Sequence, residues 1–162
     1  MSRAKPAIRP LAVGDEPALA RLYADVDADH AKATPGIFRQ ADPPRSDAFY
    51  ARYRDDPDCL LLVAAEGADI VGLVEAEMRS TPPVRIFVPK RIGVINTVVV
   101  RKDRRRHGIG RALVEDAERR LIGFGASEIE VTVYDWNVLA AAFYRRLGFA
   151  ATCQKMVRAA KR

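Results

Sequence analysis

The chain has 162 residues, 49% hydrophobic and 30% charged, with a formal net charge of +6. That length fits one domain with a substantial core, and that composition argues against a disordered or fibrous chain. No apolar run approaches the roughly eighteen residues of a membrane span, and two histidines with two distant cysteines form no zinc-ligand spacing.

The first residues, Met1 to Pro6, carry positive charge but no apolar segment behind it. They predict no secretion signal and a cytoplasmic protein with no membrane partner. Ile8 to Leu11 reads as a short strand. Asp15 is placed to cap a helix that has Pro17 in its first turn and Leu19, Leu22, Tyr23 and Val26 along one face. His30 to Arg45 holds four Pro or Gly residues and predicts a loop. A second helix starts near Ser46, carries Phe49, Tyr50 and Tyr53, and ends at Asp55-Asp56-Pro57.

Cys59 to Glu66 and Ile70 to Glu77 read as a hairpin joined through Gly67-Ala68-Asp69. Residues 79–91 contain Pro82, Pro83 and Pro89 and predict a long, mobile loop or interaction arm. Ile92 to Val100 is an apolar, β-branched strand. A helical pattern from Ile109 to Ile122 follows, ended by Gly123 and Gly125. Glu128 to Val133 alternates as a strand, 137–147 is helical, and Ala150 to Val157 predicts a last strand. Cys59 and Cys153 both fall in strand-like stretches and are expected to be reduced, buried thiols. No repeat or second domain is visible, and residues 6–158 are expected to form one domain.

Between the strand ending at Val100 and the helix from Ile109 stands Arg104-Arg105-Arg106-His107-Gly108-Ile109-Gly110-Arg111. A strand that turns through glycines into a helix start makes an anion site. The first helical N–H groups have no internal acceptor, and the helix dipole adds partial positive charge. Gly108 and Gly110 remove side chains that would hold a phosphate away, while Arg105, Arg106 and Arg111 bring forked donors. No Lys-Ser or Lys-Thr pair follows the glycines, which excludes a P-loop. Leu113 stands where a dinucleotide fingerprint needs its third glycine, and that reading survives only weakly.

The pattern that fits is Arg/Gln-x-x-Gly-x-Gly/Ala, filled by Arg105, Gly108 and Gly110. A second segment reads Asn-x-x-Ala-x-x-Phe-Tyr-x-x-Leu-Gly-Phe at Asn137, Ala140, Phe143, Tyr144, Leu147, Gly148 and Phe149. Together they resemble the acetyl-CoA-binding and closing motifs of the GNAT superfamily of N-acetyltransferases. The resemblance implies an α+β fold: a mixed, mostly antiparallel sheet of six to seven strands, about four flanking helices, and a splay between two central parallel strands. It implies acetyl-CoA as co-substrate and no metal. Val98, Val99 and Val100 would meet the pantetheine and supply the oxyanion donor. Arg105, Arg106, His107, Gly108, Ile109, Gly110, Arg111 and Ala112 would hold the pyrophosphate. Asn137, Ala140 and Phe143 would line the rest of the donor site, and Tyr144 would protonate the departing thiolate.

The resemblance also implies an amine acceptor, small-molecule or peptide, met by the first two helices and the loop between the third and fourth strands. These offer Asp25, Asp27, Asp29, His30, Phe38, Phe49, Tyr50 and Tyr53. The 79–91 segment would cover the acceptor or contact a second subunit in a homodimer. Many members carry an acidic base in the central strand, where this chain has Asn96, so the base is unassigned, with Glu75, Glu77 and Glu130 as candidates. Asn96 also keeps open a non-catalytic, acyl-CoA-binding regulatory module. The basic charge lies largely at Arg101–Arg106, where an anionic donor accounts for it. Without interleaved aromatics, a nucleic-acid partner is not expected.

Overall fold

In the computed structural model, residues 6–160 are described, and the chain divides into two compact units, up to Thr132 and from Val133 onward. Residues 1–5 and 161–162, including most of the N-terminal basic stretch and the end of the basic tail, lie outside the described residues. The first unit runs β1 (Ala7–Pro10), α1 (Glu16–Ala33), α2 (Asp47–Asp55), β2 (Cys59–Glu66), β3 (Asp69–Ser80) and β4 (Arg91–Val100). A single 3-10 turn (Lys102–Arg104), α3 (Ile109–Gly123) and β5 (Glu128–Val131) follow. The second unit contains α4 (Val138–Arg146).

The five strands lie in chain order, antiparallel throughout except for the parallel pair β4–β5. Alternation along β3 sends Leu73 into a core with Leu19, Leu22 and Tyr23 of α1, Tyr50 and Tyr53 of α2, and Leu61 and Val63 of β2. Gly72 faces the other way, against Leu113 and Ile109 of α3. Both faces of the sheet are therefore covered. That is why β2 is an unbroken apolar run, Cys59 to Ala65 buried at every position, where a half-exposed strand would alternate.

Three expectations need correction. The sheet has five strands, because residues 150–160 form no regular element and are exposed throughout. A strand takes its backbone hydrogen bonds from a neighbour, and alternation alone does not provide one. The parallel pair consequently stands at the edge of the sheet, and Cys153 is exposed while Cys59 is buried. Second, α1 continues to Ala33, so His30 is helical, its Nδ1 2.9 Å from Val26 O. Alanines at 24, 28, 31 and 33 favour the extension, and the helix stops at Thr34 because the residue before Pro35 is excluded from helical geometry. Third, β3 and β4 extend into the 79–91 segment. Its remaining loop is tied at the base by Thr81 N–H to Lys90 O at 3.1 Å, and it exposes Val84, Ile86, Phe87 and Val88.

Gly123 is the last residue of α3, and the turns that follow α3 and α4 are made with one geometry by Gly125 and Gly148. Gly125 (φ 96°) lets Ala126 N–H reach Leu121 O at 3.0 Å after α3, and Gly148 (φ 95°) lets Phe149 N–H reach Tyr144 O at 3.1 Å after α4. Each satisfies carbonyls that a helix end leaves open, in a conformation that disfavours any residue with a Cβ.

Candidate functional site

The register of β4 creates an open edge. Its pairing with β5 ends at Ile95 opposite Val131. Its pairing with β3 skips a residue, Ala76 facing Ile95 and Glu75 facing Thr97, so Asn96 is an extra residue in a β-bulge. A bulge bends its strand and sharpens the twist, and this one sits where the parallel pair parts. The splay implied by the resemblance is present, and Asn96 is at its fork.

Beyond the fork, Arg101 N–H donates to Val71 O at 2.9 Å. Antiparallel alternation then directs the backbone groups of Val99 to β3, and those of Val98 and Val100 to the side without a strand. Val100 O accepts from Arg105 Nε at 3.0 Å. Val98 presents its N–H and C=O on that same side.

The strand leads into the basic loop. Arg106 takes a left-handed conformation (φ 67°), as does Gly108 (φ 78°), which caps α3 without a side-chain hydrogen bond. The first bond of α3 runs from Ala112 N–H to Gly108 O at 3.0 Å, so Ile109, Gly110 and Arg111 have N–H groups without an intrahelical acceptor. No acidic residue stands in that first turn, and an added Cβ at Gly108 would meet nothing within 4 Å. The loop's charges divide. Arg101 bonds Asp69 and Asp103, each at 2.7 Å, and Arg104, largely buried, pairs with Glu66. Half of the arginines credited to an anionic ligand are thus committed to the fold. Arg105 and Arg106 are exposed, with no ion-pair partner among the described residues, while Arg111 reaches Glu115 at 2.7 Å and His107 Nδ1 lies 2.7 Å from Arg105 O.

In the second unit Asn137 Oδ1 accepts from Ala140 N–H at 3.1 Å, capping α4 as the motif requires. Tyr144 is buried, its ring 5.0 Å from that of Phe143 and 5.5 Å from that of Phe149. The Gly148 turn holds Phe149 against Tyr144, which explains why Tyr144, Gly148 and Phe149 occur at this spacing. Burial pushes the Tyr144 phenol up to about 12.

The acceptor-side residues separate in the same way. Asp25 and Asp29, four residues apart on α1, share a helix face that Asp27 does not, and Asp27 is held by Arg45 at 2.7 Å. His30 stacks edge-on with Phe38 at 5.0 Å. Phe49, Tyr50 and Tyr53 pack together beneath α2. Of the three candidate bases, Glu130 is exposed on β5. Glu77 lies between Arg52, at 2.6 Å, and Arg79, which hold its carboxyl below the usual range against the opposing effect of burial. Glu75 is different. It is 8% exposed, accepts from Tyr23 Oη at 2.9 Å, and interacts with the Tyr53 hydroxyl, which also meets the Asn96 amide. An acidic residue inside an apolar strand signalled this cluster in the sequence, where Tyr53 stood among the acceptor-side residues and Tyr23 read as part of the apolar face of α1. Among the described residues there is no group of His, Cys, Asp and Glu suited to a metal, and no helix long and apolar enough to cross a membrane.

The chain is thus an α+β protein whose sheet opens beyond Ile95 and leads into a helix start with three N–H groups free of an intrahelical acceptor. The family model for the acetyltransferase (GNAT) family matches residues 18–149, and the chain belongs to that family. A solved structure of the BH1408 protein from Bacillus halodurans is 27% identical, covers 96% of this chain and 99% of that one, and has a TM-score of 0.89. An aminoglycoside N-acetyltransferase solved with CoA shares the fold at 16% identity, with a TM-score of 0.74 over 100% of this chain and 99% of that one. An L-ornithine N5-acetyltransferase of Arabidopsis thaliana is 32% identical over 62 residues, 38% of this chain. The matched stretch spans only 27% of that relative's length.

Proposed function

We propose that the chain is an N-acetyltransferase that moves the acetyl group of acetyl-CoA to a primary amine of a small molecule, by direct attack in a ternary complex within one domain, residues 6–158. The observation that carries this reading is the continuity from the open edge at Val98 and Val100 to the N–H donors of Ile109, Gly110 and Arg111. Acetyl-CoA supplies an activated acetyl thioester and a pyrophosphate. The first turn of α3, with Arg105 and Arg106, binds the pyrophosphate; Val98 and Val100 offer backbone groups for the pantetheine amides. Val98 N–H polarises the thioester carbonyl and holds the oxyanion, a contribution of about 10²–10³ in rate for one such donor. Tyr144 keeps its proton at neutral pH and delivers it to the leaving sulphur. Asn137, Ala140 and Phe143 complete the donor site. The ornithine and aminoglycoside substrates in the relatives' names favour a small cationic amine as acceptor.

Thiol release from acetyl-CoA in the presence of putrescine, L-ornithine or kanamycin tests the reading directly. Arg106→Ala is expected to raise the KM for acetyl-CoA on the order of tenfold, with kcat little changed, because a charge-assisted phosphate contact is lost equally from ground and transition states. Wild-type protein that neither releases thiol nor is stabilised against heat by acetyl-CoA would sink the proposal. Stabilisation without thiol release would favour the acyl-CoA-binding regulatory alternative.

A further inference from the structure

Asn96 occupies the fork of the splay, and a neutral amide there accepts no proton from an ammonium. The carboxylate nearest in the fold stands on the neighbouring strand. Glu75 faces Thr97 in the β3–β4 register, one residue from Asn96 and one from Val98. Directly opposed residues have Cβ atoms about 5 Å apart, so the Glu75 carboxyl lies within a side chain's length of the open edge.

Its surroundings are unusual for a structural acid. Tyr23 of α1 donates to Oε2 at 2.9 Å, and the Tyr53 hydroxyl of α2 approaches the same carboxyl. The cation above this cluster, Arg45 from the α1–α2 loop, has its guanidinium 4.1 Å from the Tyr23 ring centroid and is bonded to Asp27 at 2.7 and 3.2 Å. Glu75 has no ion pair among the described residues, whereas Glu77, two positions along the same face, has two. Arg45 acts on Glu75 electrostatically, but its guanidinium is hydrogen-bonded to Asp27 and not to Glu75, which leaves the phenols as the direct partners of this buried carboxylate. Tyr53 links it outward, since its hydroxyl also meets Asn96, whose side chain is exposed at the fork.

We infer that Glu75 is the proton acceptor for the substrate amine, reached through the Tyr53 hydroxyl. The inference rests on the acetyltransferase reading above. The ammonium hands one proton to the Tyr53 oxygen while Tyr53 passes its own to Glu75. The freed nitrogen lone pair forms the N–C bond, and the C–S bond breaks with its electron pair going to sulphur. Of the three ammonium protons, one stays on the amide, one replaces the proton that Tyr144 gives to sulphur, and one leaves to solvent from Glu75. The site thus moves the acid from β4 to β3 while leaving the bulge geometry in place.

Glu75→Gln preserves volume and is expected to lower kcat for putrescine, L-ornithine or kanamycin about 10²–10⁴-fold. Melting temperature and acetyl-CoA affinity should be unchanged, so that the loss falls on kcat alone. Tyr53→Phe should lower kcat at least about tenfold with the fold intact, and Glu75→Asp, which keeps a carboxylate, should restore part of the rate. Wild-type turnover in both Glu75→Gln and Tyr53→Phe overturns the assignment of Glu75 alone. Loss of folding or acetyl-CoA binding in both shows a structural role and overturns it as well. Wild-type protein that binds acetyl-CoA yet acetylates none of the three amines overturns the assignment together with the catalytic reading.

Discussion

Tyr144→Phe is expected to reduce kcat by about 10²-fold or more while leaving the KM for acetyl-CoA within about twofold. The argument is one of geometry and protonation together. The Gly148 turn and the Phe143 and Phe149 rings hold the Tyr144 side chain in place, and phenylalanine keeps all of that packing. Only the hydroxyl is lost, so a fall in kcat without a fall in melting temperature isolates proton delivery. Thiol release at saturating amine and acetyl-CoA measures it, and an unchanged kcat removes Tyr144 from the chemistry. The phenol has a second signature. Burial raises its pKa from 10 to about 12, so the folded state favours the neutral form. That contribution to stability is complete below pH 10 and is lost as pH rises through 12. Thermal melts between pH 9 and 12 should therefore decline less steeply for Tyr144→Phe than for the wild type.

Gly72→Ala is expected to destabilise the protein by about 1–3 kcal/mol and to weaken acetyl-CoA binding as well. An added Cβ at Gly72 would stand 2.9 Å from Val99 O and 3.1 Å from Leu113 Cδ1. The leucine tip can rotate away, but the carbonyl belongs to β4 and is bonded to β3. Relief requires a shift of the strand whose outward groups, at Val98 and Val100, form the proposed donor edge. α3 presses on the same point, so the proposed anion site at its N-terminus is displaced along with the strand. Chemical denaturation gives the first effect and calorimetric titration with acetyl-CoA the second. Normal stability with normal affinity would show that β4 has slack that its close contacts do not suggest.

The contrast between these two positions explains what was legible in the chain. Tyr144 stands in a local motif, and the cap, helix and glycine turn around it are set by residues within a dozen positions. Asn137, Ala140 and Gly148 could be read because capping and left-handed geometry are short-range requirements. The same holds for Gly108 and the free donors of α3. Gly72 carries no such signal: its reason for being glycine lies at Val99 and Leu113, far along the chain.

The arginine run shows where local reading overreached. Six residues from Arg101 to Arg106 look like one basic patch, but Asp69 and Glu66 come from the β2–β3 hairpin to neutralise Arg101 and Arg104. Long-range pairing, invisible in a linear charge count, leaves Arg105 and Arg106 for a ligand. The acidic trio of α1 divides for a related reason, because the helix turns Asp27 away from Asp25 and Asp29 and Arg45 neutralises it from the α1–α2 loop.

The last strand was the clearest excess. Ala150 to Val157 has the composition of a strand, but a strand exists only where another supplies its hydrogen bonds.

By itself, the sequence determined the order of the elements as far as α4 and the glycine-to-helix turn that follows β4. Each follows from periodicity, capping or backbone freedom acting over a few residues. Tertiary structure alone decided the bulge at Asn96, the parting of β4 from β5, and the burial of Glu75 between Tyr23 and Tyr53. Those depend on register, and register is set between strands and not along them.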